Sequence, residues 1–389
     1  MSNLRFSFLA PRRLALFAAL VASFWLAACD ATSIIGEPDV HGGETDTWRD
    51  PPDVKAPDTH ECLVLDPWAE LPAQESGRLL ESNFYLAHPC DHPAWSATVS
   101  HRVALALEPF APPAPETEVI SEMEVIADNG AALILEEIEF TTFDGERAFA
   151  RVLRPKADGQ HPGVLVLHGH YSSSADLVEE RDSYVTPLSL ALALSGYVTL
   201  SPDIRSHGRF SFEGYTYPHH DYAREVAEDG DVFARLAIND ARVALAVLKE
   251  RAETDPDRLG MAGLSLGAFI TAVTSVVEED IKAAVVAGLL ISFEILFSDR
   301  HCYCQHLTAL AELVESHELA LAILPRALQV HWGELDSILE EDDGEQVASL
   351  LFDWAEWLGL DDTLFTPVSK DLGHTFDPPV HIDFFNTWL

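Results

Sequence analysis

A serine between two glycines is the residue of this chain whose type and setting best suit covalent chemistry. The stretch Gly263-Leu264-Ser265-Leu266-Gly267 reads G-x-S-x-G. The residues before it suit a short buried strand and those after it suit a helix, so Ser265 would occupy a sharp turn at a helix N-terminus. Glycines leave room where a Cβ would clash, and the free N–H groups of the helix end favour developing negative charge. The stretch therefore predicts an activated serine nucleophile.

An activated serine requires a general base and an acid that orients the base. In the strand-turn-helix setting these groups follow in the chain order serine, acid, histidine, each at the end of a strand. The predicted base is His374, just after the last predicted strand. The predicted acid is Asp336, in the loop after the strand 328–331, and Glu334 in the same loop is the alternative.

The tetrahedral oxygen formed by attack on a carbonyl needs two backbone N–H donors. We expect one from Leu266, directly after the serine, and the other from the loop after the strand 164–167. In that loop His170 is the first choice for the donor and Tyr171 the alternative.

Other histidines offer weaker signals. His168 and His170 form an H-x-H pair, but no third ligand stands at a recognisable spacing, so the sequence assigns no metal ion. The run His219-His220-Asp221 is interpreted as part of a solvated loop, and His301 is placed near the pocket by its position alone.

Predicted strands and helices alternate from about Ala131 onward, and these elements must position the candidate residues. Predicted strands cover 132–141, 147–153, 164–167, 197–201, 283–289, 328–331 and 363–367, with Asp144-Gly145 as the turn of an antiparallel first pair. Predicted helices cover most of 175–195, then 226–251, 344–358 and 380–389, with a loop over 206–222 and an insertion over 291–325. Such alternation predicts a mostly parallel sheet with helices on both faces.

This part of the chain resembles the α/β-hydrolase superfamily and, within it, the dienelactone hydrolase and acetyl xylan esterase-like group. The stretches that carry the resemblance are His168-Gly169-His170, Asp203-Ile204-Arg205-Ser206-His207-Gly208, Asp255-Pro256-Asp257-Arg258, Gly263–Gly267, Gly333-x-x-Asp336 and Gly373-His374-x-Phe376. The resemblance implies an α/β-hydrolase fold and a serine ester hydrolase that needs no cofactor. It assigns Ser265 as nucleophile, His374 as base and Asp336 as acid.

The chain departs from this group in two ways. Dienelactone hydrolases use a cysteine nucleophile, whereas this chain has serine at position 265. The separation of Ser265 and Asp336 is long for a minimal member, which we attribute to the insertion 291–325 acting as a lid. Because lids decide substrate choice in such enzymes, the resemblance implies a small-molecule or carbohydrate ester without naming it.

The N-terminal region has the features of an export signal. Residues 1–28 combine three arginines with an apolar run that is too short to span a bilayer comfortably. The run ends in Leu26-Ala27-Ala28-Cys29, which resembles the lipobox of bacterial lipoproteins and implies cleavage before Cys29 and its lipidation. An ordinary signal peptide is the alternative. We therefore expect a periplasmic or cell-surface protein held on a membrane by lipid.

The rest of the N-terminal region is expected to precede a single hydrolase domain over 131–389. Residues 29–60 are rich in polar residues, proline and glycine, so we interpret them as a disordered tether. Residues 61–130 are expected to wrap the domain. A disulfide between Cys62 and Cys90 is plausible if the chain is exported, and the pair Cys302 and Cys304 stays unassigned.

Composition excludes some partners. With 24 basic and 64 acidic residues the chain carries a net charge of −40, which argues against polyanions such as nucleic acid. The sequence thus predicts a serine hydrolase of carboxylic esters. A serine peptidase of the prolyl-oligopeptidase type and a non-catalytic lipoprotein that keeps the fold as a binding module are the alternatives. The oligomeric state is open.

Overall fold

A computed structural model describes residues 92–107, 115–127, 129–211, 218–228, 233–298, 301–338 and 341–389. The predicted signal, the tether, the lipidation site Cys29 and the disulfide partners Cys62 and Cys90 lie outside the described residues. Within the described residues, no helix is long and apolar enough to cross a membrane.

Ten strands and eleven α-helices follow one another along the described part of the chain. The strands are β1 (Thr117–Ile126), β2 (Ala132–Thr141), β3 (Arg147–Pro155), β4 (His161–Leu167), β5 (Val198–Pro202), β6 (Thr254–Leu264), β7 (Ile281–Ala287), β8 (Ala327–Gly333), β9 (Leu364–Phe365) and β10 (Val368–Ser369). The helices are α1 (His92–Ala106), α2 (Ser174–Val178), α3 (Leu188–Leu194), α4 (Pro218–Glu228), α5 (Phe233–Glu250), α6 (Leu266–Val277), α7 (Phe293–Leu296), α8 (Thr308–Ala311), α9 (Ser316–Leu321), α10 (Glu341–Leu358) and α11 (Pro378–Trp388).

All ten strands form one sheet in the order β1-β2-β3-β5-β4-β6-β7-β8-β10, with β9 also paired to β8. The pairs β1–β2, β2–β3 and β3–β5 are antiparallel, and the remaining pairs are parallel. The predicted mostly parallel sheet is confirmed. The parallel order places the carboxyl ends of β4, β6, β7, β8 and β10 at one edge, where loops can combine side chains from distant parts of the sequence.

The core lies on both faces of the central strands. In β4, Leu165 and Leu167 belong to the larger apolar cluster, which includes α5 and α6, whereas Val164 and Val166 belong to a second cluster with α3 and α11. Successive side chains of a strand point to opposite faces, so a strand covered on both sides must be apolar throughout. Each such buried side chain contributes about 1.5–3 kcal/mol.

The predicted wrapping segment contributes two elements. Helix α1 lies against the end of α9, where Nε2 of His92 is 3.0 Å from the carbonyl oxygen of Leu321 and the hydroxyl of Ser96 donates to that of Ala322. Strand β1 adds an antiparallel edge to β2. The predicted boundary at residue 131 therefore falls between two paired strands of the same sheet.

Three predicted elements are wrong in detail. The helix expected over 175–195 is two short helices, α2 and α3, separated by a loop that ends at Pro187, whose ring cannot continue a helix. For the helix expected over 226–251, the described residues give α4, which ends at Glu228, and α5, which begins at Phe233, and α4 begins at Pro218 within the expected loop 206–222. The last strand is two short strands, β9 and β10.

His331 on β8 makes the stability of the fold sensitive to acid. It is 1% exposed, and burial lowers its pKa from 6.5 to about 4, while Nε2 stays 2.8 Å from the hydroxyl of Ser369. The unfolded chain therefore takes up this proton before the folded chain does, and stability is lost as pH falls from about 6.5 toward 4.

Between pH 7 and pH 4.5 we expect His331 to remove about 2–3 kcal/mol from the free energy of unfolding. Urea unfolding of wild type and His331→Gln at both pH values checks this, because the variant should lose less stability by that amount. His101→Gln, at an exposed position of α1, is the control and should keep the wild-type dependence. Equal pH dependence in wild type and His331→Gln would contradict the expectation.

Candidate active site

Ser265 lies in the predicted turn between β6 and α6. Its backbone has φ 56° and ψ −116°, and its N–H donates to the carbonyl oxygen of Ala287 at the end of β7 (2.9 Å). A methyl group at position 263 would lie 2.0 Å from the carbonyl oxygen of Gly267, and one at position 267 would lie 2.6 Å from that of Leu167. Both glycines are thus required by close packing, and the turn has the geometry expected of a nucleophile elbow.

His374 and Asp336 are brought together from two loops. Nδ1 of His374 is 2.8 Å from Oδ2 of Asp336, and the side chains are 8% and 2% exposed. Oδ1 of Asp336 accepts a hydrogen bond from the N–H of Ile338 (3.0 Å), so both carboxylate oxygens are held. Glu334, the alternative acid, is exposed. The geometry therefore favours Asp336 as the group that orients His374.

The ring of His374 lies against the same end of β7 that holds Ser265. An added methyl group at Gly288 would lie 3.0 Å from Cε1 and 3.1 Å from Nδ1 of His374, and Gly288 directly follows Ala287. Nε2 of His374 is buried and has no hydrogen-bond partner in the described part of the chain, Ser265 included. Catalytic hydrogen bonds are often long in structures without substrate, so this nitrogen is placed to accept the serine proton when a substrate binds.

Gly288→Ala should damage the site selectively. The residue has φ +68°, so alanine costs about 1–2 kcal/mol in backbone energy, and its methyl group would also press on the imidazole of His374. We expect kcat for ester hydrolysis to fall at least about tenfold, because a small misplacement of a catalytic group is costly.

Gly359→Ala is the matched control for Gly288→Ala. Gly359 has the same φ of +68° and no atom within 4 Å of an added methyl group. Both variants carry the same backbone cost in urea unfolding, to which Gly288→Ala adds the cost of displacing His374, and only Gly288→Ala should lose activity. Equal activity in the two variants would contradict contact between Gly288 and the catalytic base.

The two expected oxyanion donors flank Ser265. Leu266 is the first residue of α6, so its N–H has no partner within the helix. Gly169 lies against the serine, since a methyl group there would be 3.1 Å from Cβ of Ser265, and His170 follows it. Tyr171, the alternative donor, has φ 55° and an exposed side chain.

Tyr184 contacts both the loop after β4 and the catalytic candidate His374. Its hydroxyl donates to the carbonyl oxygen of His170 (2.5 Å), and its ring stacks on that of His374 with centroids 6.1 Å apart. Burial raises the pKa of Tyr184, so the hydroxyl stays a neutral donor. Tyr184 was not predicted as a site residue, because the pattern of residues 175–195 predicted a helix there.

His168 and Asp203, from two of the motifs in the sequence, form hydrogen bonds that fix the loops around Ser265 in place. His168 is fully buried with Nδ1 2.7 Å from the carbonyl oxygen of Gly169, and its Nε2 accepts from the N–H of Ile204 (3.0 Å). Both ring nitrogens are therefore used by backbone groups, which rules the predicted H-x-H pair out as a pair of metal ligands. Asp203 accepts from the N–H groups of Ser174 (2.7 Å) and Arg209 (2.6 Å) and so joins two further loops.

Arg205 is the largest side chain buried in this region. It is 1% exposed and pairs with Asp144 in the β2–β3 turn and Asp240 on α5, at 2.9 and 2.8 Å. Two carboxylates satisfy a guanidinium that would otherwise be a costly buried charge. Within the segment 203–208, Asp203 and Arg205 therefore have structural roles.

The remaining histidines and cysteines of the sequence analysis lie in α4 and in the insertion 291–325. The run His219-His220-Asp221 belongs to α4 and not to a loop. His301 is buried, and in the sequence it directly precedes Cys302. Cys304 contacts His170, and burial raises the pKa of its thiol, so it is not a competing nucleophile near neutral pH.

The sheet order and the elbow at Ser265 define an α/β-hydrolase fold, which confirms the prediction. Residues 122–297 match the family model of acetyl xylan esterase (AXE1). YtaP, a candidate hydrolase of Bacillus subtilis (strain 168), is 28% identical over 193 residues, which are 46% of this chain and 62% of YtaP. The chain therefore spans less than two thirds of this curated relative.

Solved esterase structures share the fold. A candidate acetyl xylan esterase from Bacteroides fragilis NCTC 9343 has a TM-score of 0.61 and 17% identity, covering 72% of this chain and 76% of its own. A glucuronoyl esterase from Solibacter usitatus has a TM-score of 0.54 and 13% identity, covering 76% and 93%. These structures show the shared fold, and the family-model match over 122–297 confirms the expected resemblance to the acetyl xylan esterase group.

Proposed function

We propose that this chain is a serine hydrolase that cleaves carboxylic esters through an acyl-enzyme on Ser265. The observation that carries the proposal is the 2.8 Å contact of His374 with Asp336, with the same imidazole lying against the strand end that holds Ser265. This arrangement leaves Nε2 of His374 buried and directed away from the carboxylate, as a general base for a nearby hydroxyl must be.

The reaction would proceed in two matched halves. Oγ of Ser265 attacks the acyl carbon while Nε2 of His374 takes its proton, and the tetrahedral oxygen is stabilised by the N–H groups of Leu266 and His170. His374 then gives the proton to the leaving alcohol. A water molecule, activated by the same nitrogen, releases the acid and regenerates the serine. Asp336 keeps Nδ1 protonated and stabilises the imidazolium.

The substrate class that we propose is an acetylated carbohydrate. The match of residues 122–297 to the acetyl xylan esterase model supports this choice. The net charge of −40 only disfavours polyanionic substrates. No cofactor takes part in the proposed steps.

Release of acetate from acetylated xylo-oligosaccharides, measured beside hydrolysis of a methyl glucuronate ester and of a short peptide amide, tests the substrate proposal. We expect acetate release to have the highest kcat/KM. Preferred cleavage of the methyl ester would reject the acetyl specificity and keep the ester hydrolase. Cleavage of the amide in preference to both esters would replace the proposal with the peptidase alternative.

We also propose that the chain is exported and anchored through lipid on Cys29. The sequence Leu26-Ala27-Ala28-Cys29 after a basic and apolar N-terminus supports this. Mass spectrometry of the N-terminal peptide from membranes of a bacterial expression host should find a lipidated Cys29. In Cys29→Ala the lipid should be lost and the protein released. An unmodified Cys29 in wild type would reject the lipid anchor.

A further inference from the structure

Three metal-binding side chains meet beside the proposed active site. His170, Cys302 and Cys304 are 3%, 4% and 0% exposed, and their ligand atoms all lie within 4.8 Å of one another. Nε2 of His170 is 2.9 Å from Sγ of Cys304. The proposed ester hydrolysis uses only the backbone N–H of His170, so it gives these three side chains no role.

A short 3₁₀ turn places the two thiols close to the imidazole of His170. Cys302 and Cys304 flank Tyr303 at the start of a short 3₁₀ turn, and Sγ of Cys302 accepts from the N–H of Cys304 (3.4 Å). Neither cysteine is in a disulfide bond within the described part of the chain. His170 reaches them from the loop after β4, 134 residues away in sequence. No spacing rule could have revealed this set, which is why the sequence analysis assigned no metal.

We propose that His170, Cys302 and Cys304 form a binding site for one Zn²⁺ ion. Two thiolates and an imidazole are donors that zinc prefers, and three protein ligands leave a fourth position for water. Zn–S bonds of about 2.3 Å and Zn–N bonds of about 2.0–2.1 Å place tetrahedral ligands about 3.5–3.8 Å apart. In the cluster one separation is 2.9 Å and none exceeds 4.8 Å, so side-chain rotations would bring the three atoms to these values.

The ion would connect two parts of the chain that have to be held together around the substrate. Cys302 and Cys304 belong to the insertion 291–325, and His170 belongs to the loop that carries the proposed oxyanion donor. Zinc would then fix the insertion to that loop. This consequence depends on the proposed function, whereas the metal site itself does not.

The test is a titration of the reduced, metal-free full-length protein with Co²⁺, followed by absorption spectroscopy. We expect a thiolate-to-cobalt charge-transfer band in the near ultraviolet that saturates at one Co²⁺ per chain and is removed by Zn²⁺. Zinc should also raise the midpoint of thermal unfolding. The readout does not depend on ester hydrolysis, so a failed metal site and a failed hydrolase proposal can be told apart.

Variants locate the site. Cys302→Ser and Cys304→Ser should each lose the charge-transfer band at one equivalent, and the control Cys62→Ser/Cys90→Ser should keep it. His170→Gln keeps the backbone N–H and should weaken zinc binding at least tenfold, which keeps the test decisive if a serine variant does not fold. Absence of the band in the reduced wild type, or its persistence in folded Cys302→Ser and Cys304→Ser, would overturn the proposal.

Discussion

Ser265→Ala should lower kcat for ester hydrolysis by about 10⁶-fold, because a serine hydrolase without its nucleophile retains only binding and oxyanion stabilisation. The fold should be unaffected. Alanine keeps the Cβ that already tolerates φ 56° at this position, and the backbone bond from residue 265 to Ala287 does not involve the hydroxyl. Steady-state kinetics beside urea unfolding measures both quantities.

Ser275→Ala is the matched control on the same helix. Ser275 is fully buried, and its hydroxyl has no hydrogen-bond partner among the described residues, so its removal should change neither activity nor stability appreciably. Comparable activity in Ser265→Ala and wild type would show that another residue is the nucleophile.

Asp336→Asn should lower kcat by about 10³–10⁴-fold while leaving the loop folded. Oδ1 of Asp336 accepts from the N–H of Ile338, so an asparagine that keeps this bond turns its NH₂ toward His374. Nδ1 of His374 then has to accept a hydrogen bond, and the proton moves to Nε2. A protonated Nε2 cannot take the proton of Ser265.

Glu334→Gln is the control for this second variant, since Glu334 lies two residues away, is exposed and was the alternative acid in the sequence. It should keep wild-type kcat. A large loss in Glu334→Gln together with a small one in Asp336→Asn would reverse the assignment of the acid.

The parts of the fold that the sequence could predict are those where local pattern and packing agree. The buried strand Val164–Leu167 and the buried second half of β6, residues 259–264, could be recognised because a strand covered on both faces carries few polar residues. The elbow could be recognised because its two glycines are required by backbone contacts within a few residues of Ser265. The order of Ser265, Asp336 and His374 then followed from the strand ends.

The missed features depend on contacts between distant residues. Tyr184 was assigned to a helix although Pro187, three residues later, is a helix stop in the sequence, and its contacts with His170 and His374 are visible only in the folded chain. Gly288 cannot be recognised from the sequence as a site residue. Its importance comes from the imidazole ring of His374, which is 86 positions later in the sequence and lies against it in the fold. The cluster of His170 with Cys302 and Cys304 is likewise formed by the sheet topology and the insertion.

Covalent labelling of the purified chain from residue 30 onward by a fluorophosphonate, with the adduct mapped by mass spectrometry, tests the central claim most directly. The expected result is one adduct, on Ser265, that is absent from Ser265→Ala and strongly reduced in His374→Ala. An adduct on a different serine, or no adduct on folded wild type, would contradict an activated Ser265 and favour a binding module that keeps the hydrolase fold.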